Sequence, residues 1–191
     1  TGVLPKQLND ALSGSLGWKG KVDIELPYRA EARYAVNLDG DLTNITSKLP
    51  PPMDKASGKA LPVKLKVAGN LHSFELTGSA GGNNHFNSRW LLNNKLALDR
   101  AIWASDSHTV PPLPDEEGVE LNLPAMNGAQ WLALFRQGVA SNVSDSTAFP
   151  SRITLRTPAL TLGGQQWNNL SLVSTPQPSG SIIEAQGREI N

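Results

Sequence analysis

The chain has 191 residues, of which 39% are hydrophobic and 18% charged, with 17 Lys plus Arg set against 17 Asp plus Glu, three His and no Cys. Zero net charge and the lack of a basic run with interleaved aromatics argue against a nucleic-acid partner, while the missing cysteines exclude disulfides, thiolate metal sites and a cysteine nucleophile. No apolar run approaches the roughly 18 residues of a membrane span, and 17 Gly with 14 Pro suit many strands joined by turns.

Taken in order, Leu4, Leu8, Leu12 and Leu16 have the four-residue spacing of a short helix ended by Gly14 or Gly17. Val22 to Leu26 alternates as a strand that stops at Pro27. Tyr34, Val36 and Leu38 form one face of the next strand, and Asp39-Gly40 is a hairpin signal. Pro50, Pro51 and Pro52 remove three successive backbone donors, so Leu49 to Ala60 reads as a loop or an edge crossing. Leu61 to Ser105 then reads as a meander with one apolar face, because successive strand side chains point to opposite sides. Val63, Leu65 and Val67 alternate with Lys64, Lys66 and Ala68. Phe74 and Leu76 repeat the pattern, followed by Phe86, Trp90 and Leu92, then Leu96, Leu98 and Ile102. Turns are expected at Gly69-Asn70, Gly81-Gly82-Asn83 and Asn93-Asn94. Arg100 falls in step with Leu96, Leu98 and Ile102, so either a bulge shifts the pleat or its head snorkels to a polar rim.

Pro111 to Gly118 reads as a second Pro-rich loop, carrying Asp115, Glu116 and Glu117, before Val119, Leu121 and Leu123 resume alternation. Asn127 to Gly138 is the one persuasive helix, with Asn127 as N-cap and a Trp131, Leu134, Phe135 stripe. Strands return at Ile153 to Thr157, Leu160 to Leu162, Leu170 to Ser174 and Ile182 to Ala185, with turns at Gly163-Gly164 and Pro176 to Gly180. The fold class is therefore mainly β, a β-rich α+β chain built on an antiparallel meander sheet with one or two short helices. The chain opens Thr1-Gly2 without Met and stops at Ile190-Asn191 directly after a predicted strand, which leads us to expect a segment of a longer polypeptide.

Catalytic signatures are missing. The histidines at 72, 85 and 108 lack the spacing of metal ligands, and adjacent Asp106-Ser107-His108 cannot adopt relay geometry. The acidic run 115–117 lacks the alternation of a calcium loop. We expect no catalytic residue, metal or cofactor. A helix of about twelve residues is roughly 18 Å long, less than half the width of nine strands at about 4.8 Å. Much of the apolar face therefore needs another cover: a second sheet, a sheet curled onto itself, a partner, or lipid chains.

The run Ile153 to Val173 resembles the strand, Gly-Gly turn, strand unit of AsmA-like proteins, and Ser181 to Ile190 resembles the strand that follows it. GWKGKVDIELPYRA, LDGDLTNITSKLPPPMDKASGKALPVKLKVAG, FNSRWLL, LALDRA and LNLPAMNGAQWLALF extend the resemblance to the C-terminal half of a large AsmA-like protein of Gram-negative bacteria. Ile182 stands where that pattern leads to an aromatic. The resemblance implies that the meander sheet is strongly curved into a periplasmic β-groove, whose parent is anchored in the inner membrane by parts outside this chain. It further implies a non-enzymatic bridge that shelters phospholipid acyl chains between inner and outer membranes. On that analogy Val63, Leu65, Val67, Phe74, Leu76, Phe86, Trp90, Leu96 and Leu98 line the groove. The chain would be one segment, 1–191, comprising a first meander to about 126, a helix at 127–138 and the strand repeat at 151–191. The alternative is a structural or docking module with a conventionally packed core, in which Trp131 and loop 111–117 contact other envelope proteins.

Overall fold

The structure, a computed structural model, describes residues 12–15, 17–93, 95–131, 147–148, 150, 152–177 and 180–188. After the short strand β1 (Leu12–Ser13), the alternating segments form β2 (Gly17–Glu25), β3 (Arg33–Asp41), β5 (Pro62–Gly69), β6 (Ser73–Ala80), β7 (Asn84–Leu92) and β8 (Leu96–Ala104), with β4 (Thr46–Ser47) between β3 and β5. These are followed by β9 (Gly118–Asn122), β10 (Met126–Asn127), β11 (Thr147–Ala148), β12 (Ile153–Leu162), β13 (Gln165–Gln177) and β14 (Gly180–Gln186). One sheet takes almost all of them, in the order β14-β13-β12-β9-β8-β7-β6-β5-β3-β2.

The sheet is mainly antiparallel but is not one meander. Strand β9 pairs in parallel with β8 on one side and β12 on the other, β11 runs parallel to β8, and β10 runs parallel to β12. Parallel neighbours need a crossover of about a dozen residues, and the Pro-rich segment 105–117 supplies one. It carries the chain back across the sheet, so β9 re-enters in the direction of β8. Two antiparallel meanders, β2 to β8 and β12 to β14, are thereby joined along a parallel seam.

The turns at 70–72, 81–83 and 163–164 stand where Gly and Asn place them, with Gly81, Gly82, Gly163 and Gly164 all at positive φ. Asp39-Gly40 is no hairpin: both residues lie inside β3, paired with Lys19 and Trp18. The turn into β3 is the segment 26–32. The chain leaves β3 into an arm, 42–61, before pairing β5 with β3. The expected N-terminal helix is replaced where it is described. Leu12 and Ser13 form β1, whose backbone pairs with Ser47 and Thr46 of the arm; Gly17 opens β2 rather than ending a helix, and Leu4, Leu8 and Leu16 lie outside the described residues. The helix at 127–138 begins as expected, with Asn127 Oδ1 accepting from Ala129 N at 3.0 Å and helical geometry over 128–131. Leu134 and Phe135 lie outside the described residues.

The arm is folded on itself. Ser47 and Lys55 exchange backbone hydrogen bonds, and Lys55 Nζ donates to the carbonyls of Thr43, Ile45 and Ala56. Its base is clasped by Asp41, whose Oδ1 accepts from Thr43 Oγ1, Thr43 N and Leu61 N. The Thr43 hydroxyl first, then the Leu61 amide, holds this carboxyl below its ordinary pKa. A depressed pKa adds stability above the unfolded-state value, and that stability is lost as pH falls through the folded-state value. Acidification through the carboxylate range is therefore expected to speed amide exchange at Thr43 and Leu61. Asp41→Asn is expected to give the faster exchange already at neutral pH.

Fully buried side chains are few. Leu98, Ile102, Ala104, Leu123, Leu160 and Leu170 are the buried hydrophobic residues among those described. They gather on β8, β12, β13 and the residue after β9, the region where crossing segments add material over the sheet. Elsewhere, among the described residues, the sheet is a single layer with mostly half-buried or exposed faces.

Candidate functional site

Strand register decides which side chains share a face, since directly paired residues point the same way. From β2 outward, Val22 pairs with Val36, Val36 with Val67, Val67 with Leu76, and Leu76 with Ser88. One row on, Leu38 pairs with Leu65, Leu65 with Gly78, and Gly78 with Phe86. Ile24, Tyr34, Gly69, Phe74 and Trp90 form a further row. The opposite face carries Lys19, Lys21, Asp23, Lys64, Lys66, Glu75 and Arg89, so the sheet has one apolar and one charged side.

Between β7 and β8 the ladder slips: Arg89 pairs with Arg100 but Trp90 pairs with Leu98, leaving Asp99 as an extra residue. This bulge resolves the position of Arg100. The pleat shifts there, and Arg100 turns to the charged face, where Nη1 donates to the Pro114 carbonyl at 3.2 Å. Asp99 Oδ2 lies 3.1 Å from Arg100 Nε and 3.7 Å from Arg89 Nε, so the extra residue sits between two guanidinium groups. Ile102, expected beside Leu96 and Leu98, is carried to the opposite face with its partner Asn87. There Asn87 Nδ2 donates to the Pro111 carbonyl of the crossover, and both residues are buried.

The same shift brings Trp103 onto the apolar face as the partner of Phe86, and Leu121 of β9 follows it, then Leu155 and Leu172. All nine residues assigned to a groove, Val63, Leu65, Val67, Phe74, Leu76, Phe86, Trp90, Leu96 and Leu98, fall on this one face. Leu98 is buried; the other eight are half-buried. Alternation alone missed Trp103, Leu121, Val36 and Leu38. Leu121, Val36 and Leu38 were legible as strand residues, but their union with the face rests on strand pairing, β8 with β9 for the first and β3 with β5 for the other two.

Two aromatic pairs floor this surface. Phe74 stacks on its cross-strand partner Trp90 with centroids 6.0 Å apart, and Phe86 on Trp103 at 5.7 Å, each pair within 7° of parallel. A buried indole needs an acceptor for its N–H, and each finds one two residues away: Trp90 Nε1 on Ser88 Oγ at 3.0 Å, Trp103 Nε1 on Ser105 Oγ at 3.1 Å. With the N–H groups engaged locally, the rings present carbon to anything lying on the face. Gly78 keeps the centre low. A Cβ there would come within 2.7 Å of Phe86 and 2.9 Å of Leu65. On the outermost strand Trp18, Val22 and Ile24 are each at least 60% exposed, so the apolar surface continues to the edge of the sheet.

The elements of the docking alternative are used inside the chain. Trp131 Nε1 donates to the Pro51 carbonyl of the arm at 2.8 Å, and Pro111 and Pro114 accept from the sheet. Glu116 of the acidic run pairs with Arg152, and Glu120 with Arg156 at 2.5 Å. Among the described residues no group of three His, Asp or Glu is placed to hold a metal, and no helix is long and apolar enough to cross a membrane.

Among the described residues the architecture defines a class: a broad β-sheet whose first meander, β2 to β7, has one largely apolar face and one charged face. The chain belongs to the YhdP family, matching the family described as YhdP protein over residues 2–191. It is 63% identical, over all 191 residues, to the intermembrane phospholipid transporter YhdP of Escherichia coli (strain K12), and spans 15% of that protein's length. No solved structure matches the chain.

Proposed function

We propose that this chain is one segment of a longer, periplasmic phospholipid transporter anchored in the inner membrane, and that its apolar face shelters acyl chains while head groups stay in water. The observation that carries the reading is the largely apolar face itself, which runs from Val22 and Ile24 on β2 through Phe86 and Trp103 to Leu121 on β9. Ten strands in one sheet at about 4.8 Å give nine steps, a surface roughly 43 Å across. The relationship to a phospholipid transporter supports lipid as the occupant. A sheet that curls about this face forms a groove, with the charged side outward. Sliding along such a track needs no catalytic residue, since methylene groups exchange one apolar contact for another of similar energy.

The reading is tested by photo-crosslinking in cells. A photoreactive residue at Leu65 of the full-length protein is expected to capture phospholipid, and one at Lys66, on the charged face, is not. Lipid at neither position, or equally at both, would overturn the assignment.

A further inference from the structure

Beyond one end of the apolar rows lie two loops, 26–32 between β2 and β3 and 70–72 between β5 and β6. Their tips carry exposed apolar residues: Leu26 is 79% exposed, Tyr28 88% and Leu71 68%. The loops are nevertheless built and joined. Asn70 Oδ1 accepts from His72 N and Ser73 N, closing its own turn. Glu31 bridges to the other loop, taking Asn70 Nδ2 on Oε2 at 3.0 Å and lying 3.2 Å from His72 Nε2 through Oε1. The carboxylate nearest in sequence to Arg29 is thus engaged across the loops. Arg29 has no carboxylate partner among the described residues. It adopts the left-handed region, φ 62°, uncommon for a non-glycine residue. Its guanidinium lies 5.1 Å from the Tyr28 ring centroid, where the aromatic face favours a cation.

We propose that these paired loops form a head-group rim for a phospholipid whose chains lie on the apolar face. This inference rests on the function proposed above and adds a polar subsite to it. Leu26 and Leu71 continue the apolar surface toward the glycerol end of the lipid. Arg29, held on Tyr28, meets the phosphate diester, for which a guanidinium is a geometrically matched donor. The exposed Tyr28 offers an apolar ring and a polar hydroxyl, a combination that suits that boundary. The recognised chemistry is a phosphate diester attached to acyl chains. Free phosphate offers nothing to Leu26 and Leu71.

The test places a photoreactive residue at Leu71, and separately at Leu65, in the full-length protein in cells, each with and without Arg29→Glu. Phospholipid captured at Leu71, with a yield that falls roughly tenfold in Arg29→Glu while the Leu65 yield holds, is the expected result. Capture at Leu65 alone overturns the rim and leaves the apolar track standing. Capture at Leu71 that is unchanged by Arg29→Glu overturns the phosphate contact, and a protein adduct at Leu71 in place of lipid overturns the rim as a lipid site. Lipid at neither position overturns both readings.

Discussion

If the apolar face carries acyl chains as proposed, Leu65→Glu or Phe74→Glu in the full-length protein is expected to stop phospholipid supply to the outer membrane while the protein accumulates normally. Leu65 stands mid-row, between Leu38 and Gly78, and Phe74 is one half of an aromatic floor pair. A carboxylate at either position can remain hydrated while the face is empty. The folded protein then loses only part of one apolar side chain's burial, about 1 kcal/mol. A passing acyl chain strips that hydration. The effective penalty for desolvating an ion is several kcal/mol, and at 1.4 kcal/mol per decade it amounts to a hundredfold or more in occupancy of that point on the track. Lys66→Glu, one residue along on the charged side, is the matched control and should deliver lipid normally. Outer-membrane phospholipid supply and immunoblotted abundance together decide the matter. Normal supply in both apolar-face variants would remove the basis for a track along this face.

Gly78→Ala is expected to destabilise the sheet by about 1–2 kcal/mol, although alanine is ordinarily the better strand residue. The added Cβ would lie 2.4 Å from the Lys64 carbonyl oxygen, which belongs to the backbone of the neighbouring strand and cannot rotate away. Overpacking of this kind costs about 1–3 kcal/mol, against the 0.5–1 kcal/mol gained by removing glycine's unfolded-state freedom. Gly17→Ala, where nothing stands within 4 Å of the new atom, isolates the entropic part and should be neutral or slightly stabilising. At about 2–4 °C per kcal/mol for a chain of this size, the two variants should separate clearly in thermal unfolding. Equal melting temperatures would mean that the row through Leu65, Gly78 and Phe86 is looser than its geometry indicates.

Much of this surface was readable from residue order. Val63 to Val67 and Phe74 to Leu76 alternate, and the turns that bound them are marked by Gly69-Asn70 and Gly81-Gly82, so period and punctuation agree. What escaped was non-local. The parity of β8 depends on a single extra residue, Asp99, and nothing in LALDRAIWA says which residue is unpaired until β7 lies beside it. The bulge turns Trp103 toward the apolar side and Ile102 away from it. Likewise Asp39-Gly40 has the chemistry of a turn, but β2 lies along the whole of β3, and pairing with Lys19 and Trp18 keeps both residues extended. The N-terminal leucine spacing was misleading at Leu12 because a backbone partner in the arm, Ser47, outcompetes helix formation there. Short helices in water are marginal without tertiary support. The parallel seam was invisible for the same reason, since the direction of β9 is set by where the 105–117 crossover lands.

That seam has a mechanical consequence. Strand β9 has five residues, whereas its neighbours β8 and β12 have nine and ten and the strands of the first meander have eight or nine. Parallel pairing is also slightly weaker per residue than antiparallel pairing. Tension applied along the direction of strand order loads every ladder in series, and the ladder with the fewest and weakest bonds yields first. The sheet therefore carries its rupture point at β9. On one side of it lie β2, β3 and β5 to β8 and on the other β12 to β14, two sets whose own ladders are antiparallel and which the parting strand leaves intact.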